Sequence, residues 1–337
     1  MSQLQVFTLR NSHGCEVAVT NLGGKIMSII TPDKLGNRAD IVLGYATPRA
    51  YKNGNPYFGA LIGRYANRIA NGQFVLDGKL YHLPQNNNGN CLHGGPAGFH
   101  QVVWKIEQVL AQELRLSYVS ANGEAGFPGE LKCEVSYTLN EQNELTLKYQ
   151  AVCNQPTVVN LTHHGFFNLA GAGNGNILNH RLIIRADRFC SVNDSLIPTG
   201  DLATVHDSPF DFLRERSIGE RIAAPHDQLK KGNGYDHCWV LETDFTNHVK
   251  LAAEVWEPVT GRTLQVWTTE PGLQFYSGNF LDGSDVGREG KPYGFRSAFC
   301  LEAQHFPDSP NQLHFPSTVL KPRETYQQTT LYKFGVI

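Results

Sequence analysis

An all-β fold of antiparallel strands is predicted by three features of this sequence. Apolar and polar residues alternate with period two over long stretches, as in Leu131, Cys133, Val135, Tyr137 and Leu139, and that is the periodicity of a strand with one buried face. Helical periodicity is almost absent. Turn-forming residues, with 33 Gly, 17 Pro and numerous Asn, break the alternating runs at short intervals, as a sandwich or barrel of many hairpins requires.

Along the chain, residues 4 to 9 read as the first strand. A hairpin follows around Asp77-Gly78, between QFVL and KLYHL, because Asp-Gly suits the positive φ angles of a tight type I′ turn. Runs at 102 to 109 and 113 to 120 are strand-like. The clearest hairpin joins residues 131 to 139 to 145 to 153, where Leu145, Leu147, Tyr149, Ala151 and Cys153 alternate back after the turn NEQN at 140 to 143. Strands are expected at 181 to 186 and 273 to 277, and a further hairpin turns at Pro258 to Gly261 between LAAEVWE and RTLQVWTT. Phe299, Cys300 and Leu301 read as a buried strand end. The single expected helix is short, from about Ser217 to Ala224, where RSIGERIAA is amphipathic over two turns. The Gly/Asn-rich stretches QNNNGN (85 to 90) and GAGNGN (171 to 176) are loop-length, so residues 1 to 337 read as one domain.

Composition narrows the functional classes. With 29 basic and 31 acidic residues, a net charge of −2 leaves no electrostatic footprint for nucleic acid and no polybasic stripe for a membrane. The N-terminal MSQLQVFTLR lacks a basic segment followed by an apolar one, and no long apolar run occurs elsewhere, so a soluble, cytoplasmic protein is expected. Seven scattered cysteines without a CxxC pair argue against a disulfide framework or a zinc cluster, and most read as buried apolar side chains. Oligomeric state is not legible.

Chemistry concentrates in five places: GRYANRI (63 to 69), LHGG (92 to 95), NLTHHGFFNL (160 to 169), GYDHCWVL (234 to 241) and Glu302 in FCLEAQHFPDSPN. Each sets a hydrogen-bonding group among glycine or aromatic residues. A sugar site needs this mixture: planar polar groups for hydroxyls and an aromatic face, for which Phe280 is a candidate, against the C–H side of the ring. On a strand, Glu302 and Gln304 share one face while Ala303 and His305 take the other. A buried carboxylate has its pKa raised, which suits proton abstraction near neutral pH; equally, Glu302 reads as half of a structural ion pair. His93, His163, His164, His237 and His305 suggest a metal, but neighbours on a strand diverge and no HExxH or HxH pattern is present, so no metal site is expected. His163, His237 and His305 read as satisfied, half-buried imidazoles.

Taken together, the stretches GRYANRIANG, CLHGG, NLTHHGFFNLAG, NHRLIIRADRF with IPTG, SPFDF, GYDHCWVL, LQFYSGNFLDG and LEAQHFPDSPN resemble the aldose 1-epimerases, the galactose mutarotase family. They occur in family order from about residue 15 to the C-terminus. The resemblance implies a large antiparallel β-supersandwich of the galactose mutarotase type, a free monosaccharide substrate and no cofactor. Position by position, it implies Glu302 as general base, His164 as general acid, and sugar contacts from Asn67, Arg68, His93, Asp236 and Gln304. Two departures stand out: His163 where the family commonly has Asn before the catalytic histidine, and Gly165-Phe166 where it has Ser-Tyr. Threonine is also usual at Ala303.

Three other readings use the same residues. Asp236 and Glu302 could form a glycosidase pair, but hydrolysis requires two carboxyls across a glycosidic bond, and Asp236 is better explained as a hydroxyl acceptor. A sugar-binding module would not need both Glu302 and His164. A hexose-phosphate epimerase calls for an Arg or Lys cluster beside the motifs, and none is seen. Which aldose is preferred is not legible, because epimers differ by one hydroxyl.

Overall fold

A computed structural model describes residues 3–241 and 248–337. Strands dominate, gathered chiefly into one nine-stranded, one five-stranded and one four-stranded antiparallel sheet. The nine-stranded sheet begins at Lys105–Val109 and Glu113–Ser120, continues through the hairpin Leu131–Leu139 and Glu144–Cys153, and has the long strand Tyr326–Val336 at its centre. The five-stranded sheet runs Pro198–Thr204, Arg188–Val192, Asp236–Val240, Gly272–Tyr276 and Cys300–Gln304.

Alternation explains how these two sheets form a core. In Leu131–Leu139 every odd-numbered residue is buried, and opposite them on the partner strand Leu145, Leu147, Tyr149 and Ala151 are buried too. From the five-stranded sheet Phe189, Trp239, Leu273, Phe275, Leu301 and Ala303 join the same hydrophobic cluster. Each such side chain removed from water contributes roughly 1.5–3 kcal/mol. The opposite face of the five-stranded sheet is therefore free for other work. Through the registers Asp236↔Tyr276, Gln274↔Glu302 and Tyr276↔Cys300, it collects Asp236, Gln274, Tyr276 and Glu302.

The expected hairpins form. Asp77 and Gly78 both adopt positive φ (50° and 75°) between Gln73–Leu76 and Lys79–His82, and Lys250–Trp256 pairs with Arg262–Thr268. The first strand is Val6–Arg10, and the expected 102 to 109 shortens to Lys105–Val109. The helix does not form where expected. Arg216–Ser217 is a short strand, Ile218 N–H donates to His180 O (2.9 Å) and Gly219 N–H to Leu178 O (2.8 Å). Tertiary partners thus take the amides that a two-turn helix, too short to nucleate by itself, would have used. A helix lies instead at Asp227–Gly232, capped by His226, closed by left-handed Asn233 and braced by Lys231–Asp227 at 2.6 Å. All seven cysteines are free and six are buried.

Candidate active site

The central element is the strand Thr162–His164, which pairs with Ala60–Ile62 and lies against Cys300–Gln304, where Thr162 Oγ1 donates to Ala303 O at 2.7 Å. Because neighbours on a strand diverge, His163 turns to the core, its ring against Tyr332, while His164 turns outward. Glu302 projects from the outer face of its own strand. The two meet, with His164 Nε2 at 3.6 Å from Glu302 Oε1, in a cavity of about 370 Å³ that both line, a volume in the ordinary range of small-molecule sites.

Four more expected residues arrive from three other elements. Asn67 precedes, and Arg68 begins, a short pairing, Arg68↔Leu92 and Ile69↔Cys91, that brings His93 alongside. Asn67 and His93 both hold positive φ (60° and 54°), a backbone state uncommon for side chains larger than glycine and frequent at functional sites. Asn67 N–H donates to His93 Nδ1 (3.2 Å) and Asn67 Oδ1 accepts from Arg68 N–H (2.9 Å). Asp236 faces Arg68, with 3.9 Å between carboxylate and guanidinium, and accepts from Gln274 Nε2 at 2.7 Å. Phe280, 62% exposed, lines the mouth of the cavity and stacks on Tyr276 at 6.1 Å.

Gln304 is the exception. Although it shares the Glu302 face, it does not line the cavity and is fully buried. Its strand has already entered the interior at the level of Gly272, beside Cys238 and Phe306. Alternation assigns a face and says nothing of depth. Conversely, Asn55, Tyr57, Asn87, Asn88, Gln274 and Tyr276 stand at or beside the site and are not among the expected residues. Gln274 and Tyr276 carry a usable signal, since they alternate on a strand that the sequence predicts; the pairing of that strand with Glu302 carries none.

Burial sets the protonation states. Desolvation, reinforced by the negative charge of Asp236 and opposed by Arg68, pushes the Glu302 carboxyl well above the usual range. Desolvation, aided by His163, pulls His164 down to about 3. His93 is also held well below its ordinary value, by burial and then by His164 and Arg68. Burial therefore favours the uncharged form of each group, the carboxyl over the carboxylate and the imidazole over the imidazolium. The 3.6 Å between His164 Nε2 and Glu302 Oε1 places the two groups to exchange a proton through a ligand oxygen between them.

Donor atoms of His93, His164 and Glu302 lie within 4.8 Å of one another, close enough to raise the question of a metal ion. The hydrogen bond from Asn67 argues otherwise: with Nδ1 of His93 accepting, neutral His93 carries its hydrogen on Nε2, and that nitrogen is a donor. The trio suits an oxygen-bearing ligand. Of the other histidines, His163 and His237 are fully buried rather than half-buried, each with Nε2 unpaired among the described residues, and His305 is half-buried as expected. His305 pairs with Glu270 (2.6 Å), and His237, whose Nδ1 accepts from Asp236 N–H, sits in an aromatic cluster with Phe210.

The chain and its fold correspond to known proteins over nearly the whole length. A family model described as aldose 1-epimerase matches residues 5–333; the chain belongs to that family. It is 44% identical to a galactose mutarotase of Rattus norvegicus over 333 residues, covering 99% of this chain and 94% of that protein. It is 37% identical to an aldose 1-epimerase of Escherichia coli, covering 98% and 95%. Among solved structures, a C. elegans aldose epimerase homologue superposes with TM-score 0.89 at 29% identity, covering 99% of this chain and 100% of that one. A galactose 1-epimerase from Lactobacillus acidophilus gives 0.85 at 26%, covering 99% and 95%.

Proposed function

We propose that this aldose 1-epimerase interconverts the α and β anomers of free aldohexoses such as galactose and glucose, with Glu302 as base and His164 as acid. The observation that carries the reading is the buried carboxyl–imidazole pair, 3.6 Å apart, at the floor of a cavity walled by Asn67, Arg68, His93 and Asp236. Ring opening needs a base at the C1 hydroxyl and an acid at the ring oxygen. Glu302 removes the C1 hydroxyl proton as His164 protonates the ring oxygen, the bond between C1 and that oxygen breaks, and an open-chain aldehyde with a C5 hydroxyl results. Rotation about C1–C2 presents the other carbonyl face, the C5 hydroxyl attacks it as His164 takes that hydroxyl's proton back, and Glu302 returns its proton to the C1 oxygen.

Around the reacting atoms, Arg68 and the Nε2–H of His93 donate to oxygen on which charge develops. Asp236, held by Gln274, accepts from a sugar hydroxyl. Phe280 offers its face to the C–H side of the ring. Among the described residues Arg68 is the one arginine or lysine lining the cavity, which suits an unphosphorylated sugar. The seven free thiols fit a cytoplasmic location, where disulfides are rare.

Polarimetry of freshly dissolved α-galactose and α-glucose tests the reading. Anomer equilibration accelerated by the purified protein, with no new reducing ends from oligosaccharides, is the expected result. Release of reducing ends without acceleration would replace it with a hydrolase.

A further inference from the structure

We propose that Lys25, which does not line the cavity, is a positioning residue for the acid: its ammonium ties together the two segments that hold the Tyr57 ring against His164. The proposal rests on the acid role assigned to His164.

Two carbonyls anchor the ammonium. Lys25 is wholly buried, and its Nζ donates to Pro56 O at 2.6 Å and to His100 O at 2.7 Å. No carboxylate pairs with it among the described residues, and the ring of Tyr51 lies 5.5 Å away. A buried cation without a counter-ion is costly, so the two carbonyl contacts and whatever they position must offset that cost. The backbone turn that delivers Lys25 is fitted to the same spot: Gly23, at φ 64°, packs so closely on His100 that a Cβ would fall 2.3 Å from its carbonyl oxygen.

The carbonyl of Pro56 is one peptide from Tyr57. That ring lies nearly parallel to the His164 imidazole (5.9 Å, 15°) and makes edge or tilted contacts with His93 and His100, both at 4.9 Å. Phe166 also stacks on His164, at 4.7 Å and 6°. The acid is thus held in plane by two aromatic rings. Phe166 is fixed by its own chain, two residues on, whereas Tyr57 belongs to a separate loop and depends on its anchor. Burial lowers the Lys25 ammonium to about 7, and its charge adds to the effects that keep His164 neutral. The groups facing His164 are then Glu302, His93, His100, His163, Tyr57 and, behind them, Lys25.

The test combines anomerisation kinetics with NMR titration of the His164 ring in Lys25→Met, Tyr57→Leu, the double variant and Tyr57→Phe. Each of Lys25→Met and Tyr57→Leu should lower kcat roughly 10- to 100-fold, the range expected when a reacting group is misplaced, with KM changed less than about threefold. The double variant should lose no more than the worse single one, since both act through one contact. In Lys25→Met the His164 midpoint should rise, and Tyr57→Phe should keep the wild-type midpoint. Additive losses, or an unmoved His164 midpoint in folded Lys25→Met, would overturn the proposal. Should Lys25→Met not fold, Lys25→Gln, which retains donors for one carbonyl, takes its place under the same criteria. Failure of the underlying reading is separate: His164→Gln would then keep activity.

Discussion

Adjacent histidines with opposite destinies define the chemistry at the residue scale. His164 reaches the cavity while His163 lies against Tyr332, so His163→Asn, the residue more usual in the family, should leave kcat within a few-fold. His164→Asn should cut it by roughly 10²–10⁴-fold, as should Glu302→Gln, with smaller effects on KM. Equal damage from both histidine variants in folded protein would contradict the divergence of side chains on this strand. Glu302→Gln also carries a stability signature. The native carboxyl keeps a proton that the unfolded chain releases above about pH 4.5, so the wild type loses stability as pH rises from there toward the raised native value. The amide does not, and its Tm advantage over wild type should grow as pH rises above about 5 in scanning calorimetry. The pH profile of kcat/KM tests the raised proton affinity of Glu302: a limb should appear on the alkaline side of the ordinary carboxyl range. Because Asp236 raises and Arg68 lowers the proton affinity of Glu302, Asp236→Asn should move the alkaline limb to lower pH and Arg68→Gln to higher pH. Shifts of the same sign would reject the electrostatic account.

At the scale of elements, two arginines of one short motif do different work. Arg64 is buried and bonds Pro128 O, Gly129 O, Ser120 O, Ser120 Oγ, Ala121 O and Thr157 Oγ1 at 2.6–3.3 Å, fastening the 63 to 69 segment to the 120 to 129 segment and to the short strand at Thr157–Val158. Arg64→Met strands those acceptors and should cost about 3 kcal/mol or more in chemical denaturation. Arg68 faces Asp236 and the cavity, so Arg68→Gln should show its main effect in KM and kcat. A large Tm loss in Arg68→Gln with little change in Arg64→Met would reverse the assignment. GRYANRI marks this segment as important, but nothing in its residues tells anchor from ligand, because the distinction depends on what each side chain meets across the fold.

For the whole molecule, acid and base arrive from strands nearly 140 positions apart in the sequence, so catalytic geometry is a property of sheet packing. The His93, His164 and Glu302 cluster suits a sugar oxygen, with His93 fixed as a donor by Asn67. Exhaustive dialysis against EDTA should therefore leave kcat unchanged. Loss of activity restored by a divalent ion would show that His93 can reverse its tautomer and that a cation takes part.

Local rules by themselves determine a great deal of this protein. Period-two alternation is a short-range property, so the hairpins at 77–78, 131–153 and 250–268, the shared face of Glu302 and Gln304, and the divergence of His163 from His164 are legible in residues next to one another. The family resemblance of the ordered motifs supplies His164 as the acid and the candidate residues Asn67, Arg68, His93 and Asp236. Features that depend on distant partners are decided only by the tertiary structure. The 217 to 224 segment has the pattern of a helix, yet its amides go to Leu178 and His180. Gln304 has the right face, yet lies too deep. Tyr57 and Lys25 carry no local mark of their roles; stacking on His164 and bonding to two carbonyls exist only once four separate segments have packed. Periodicity fixes which way a side chain points, and packing fixes what it finds there.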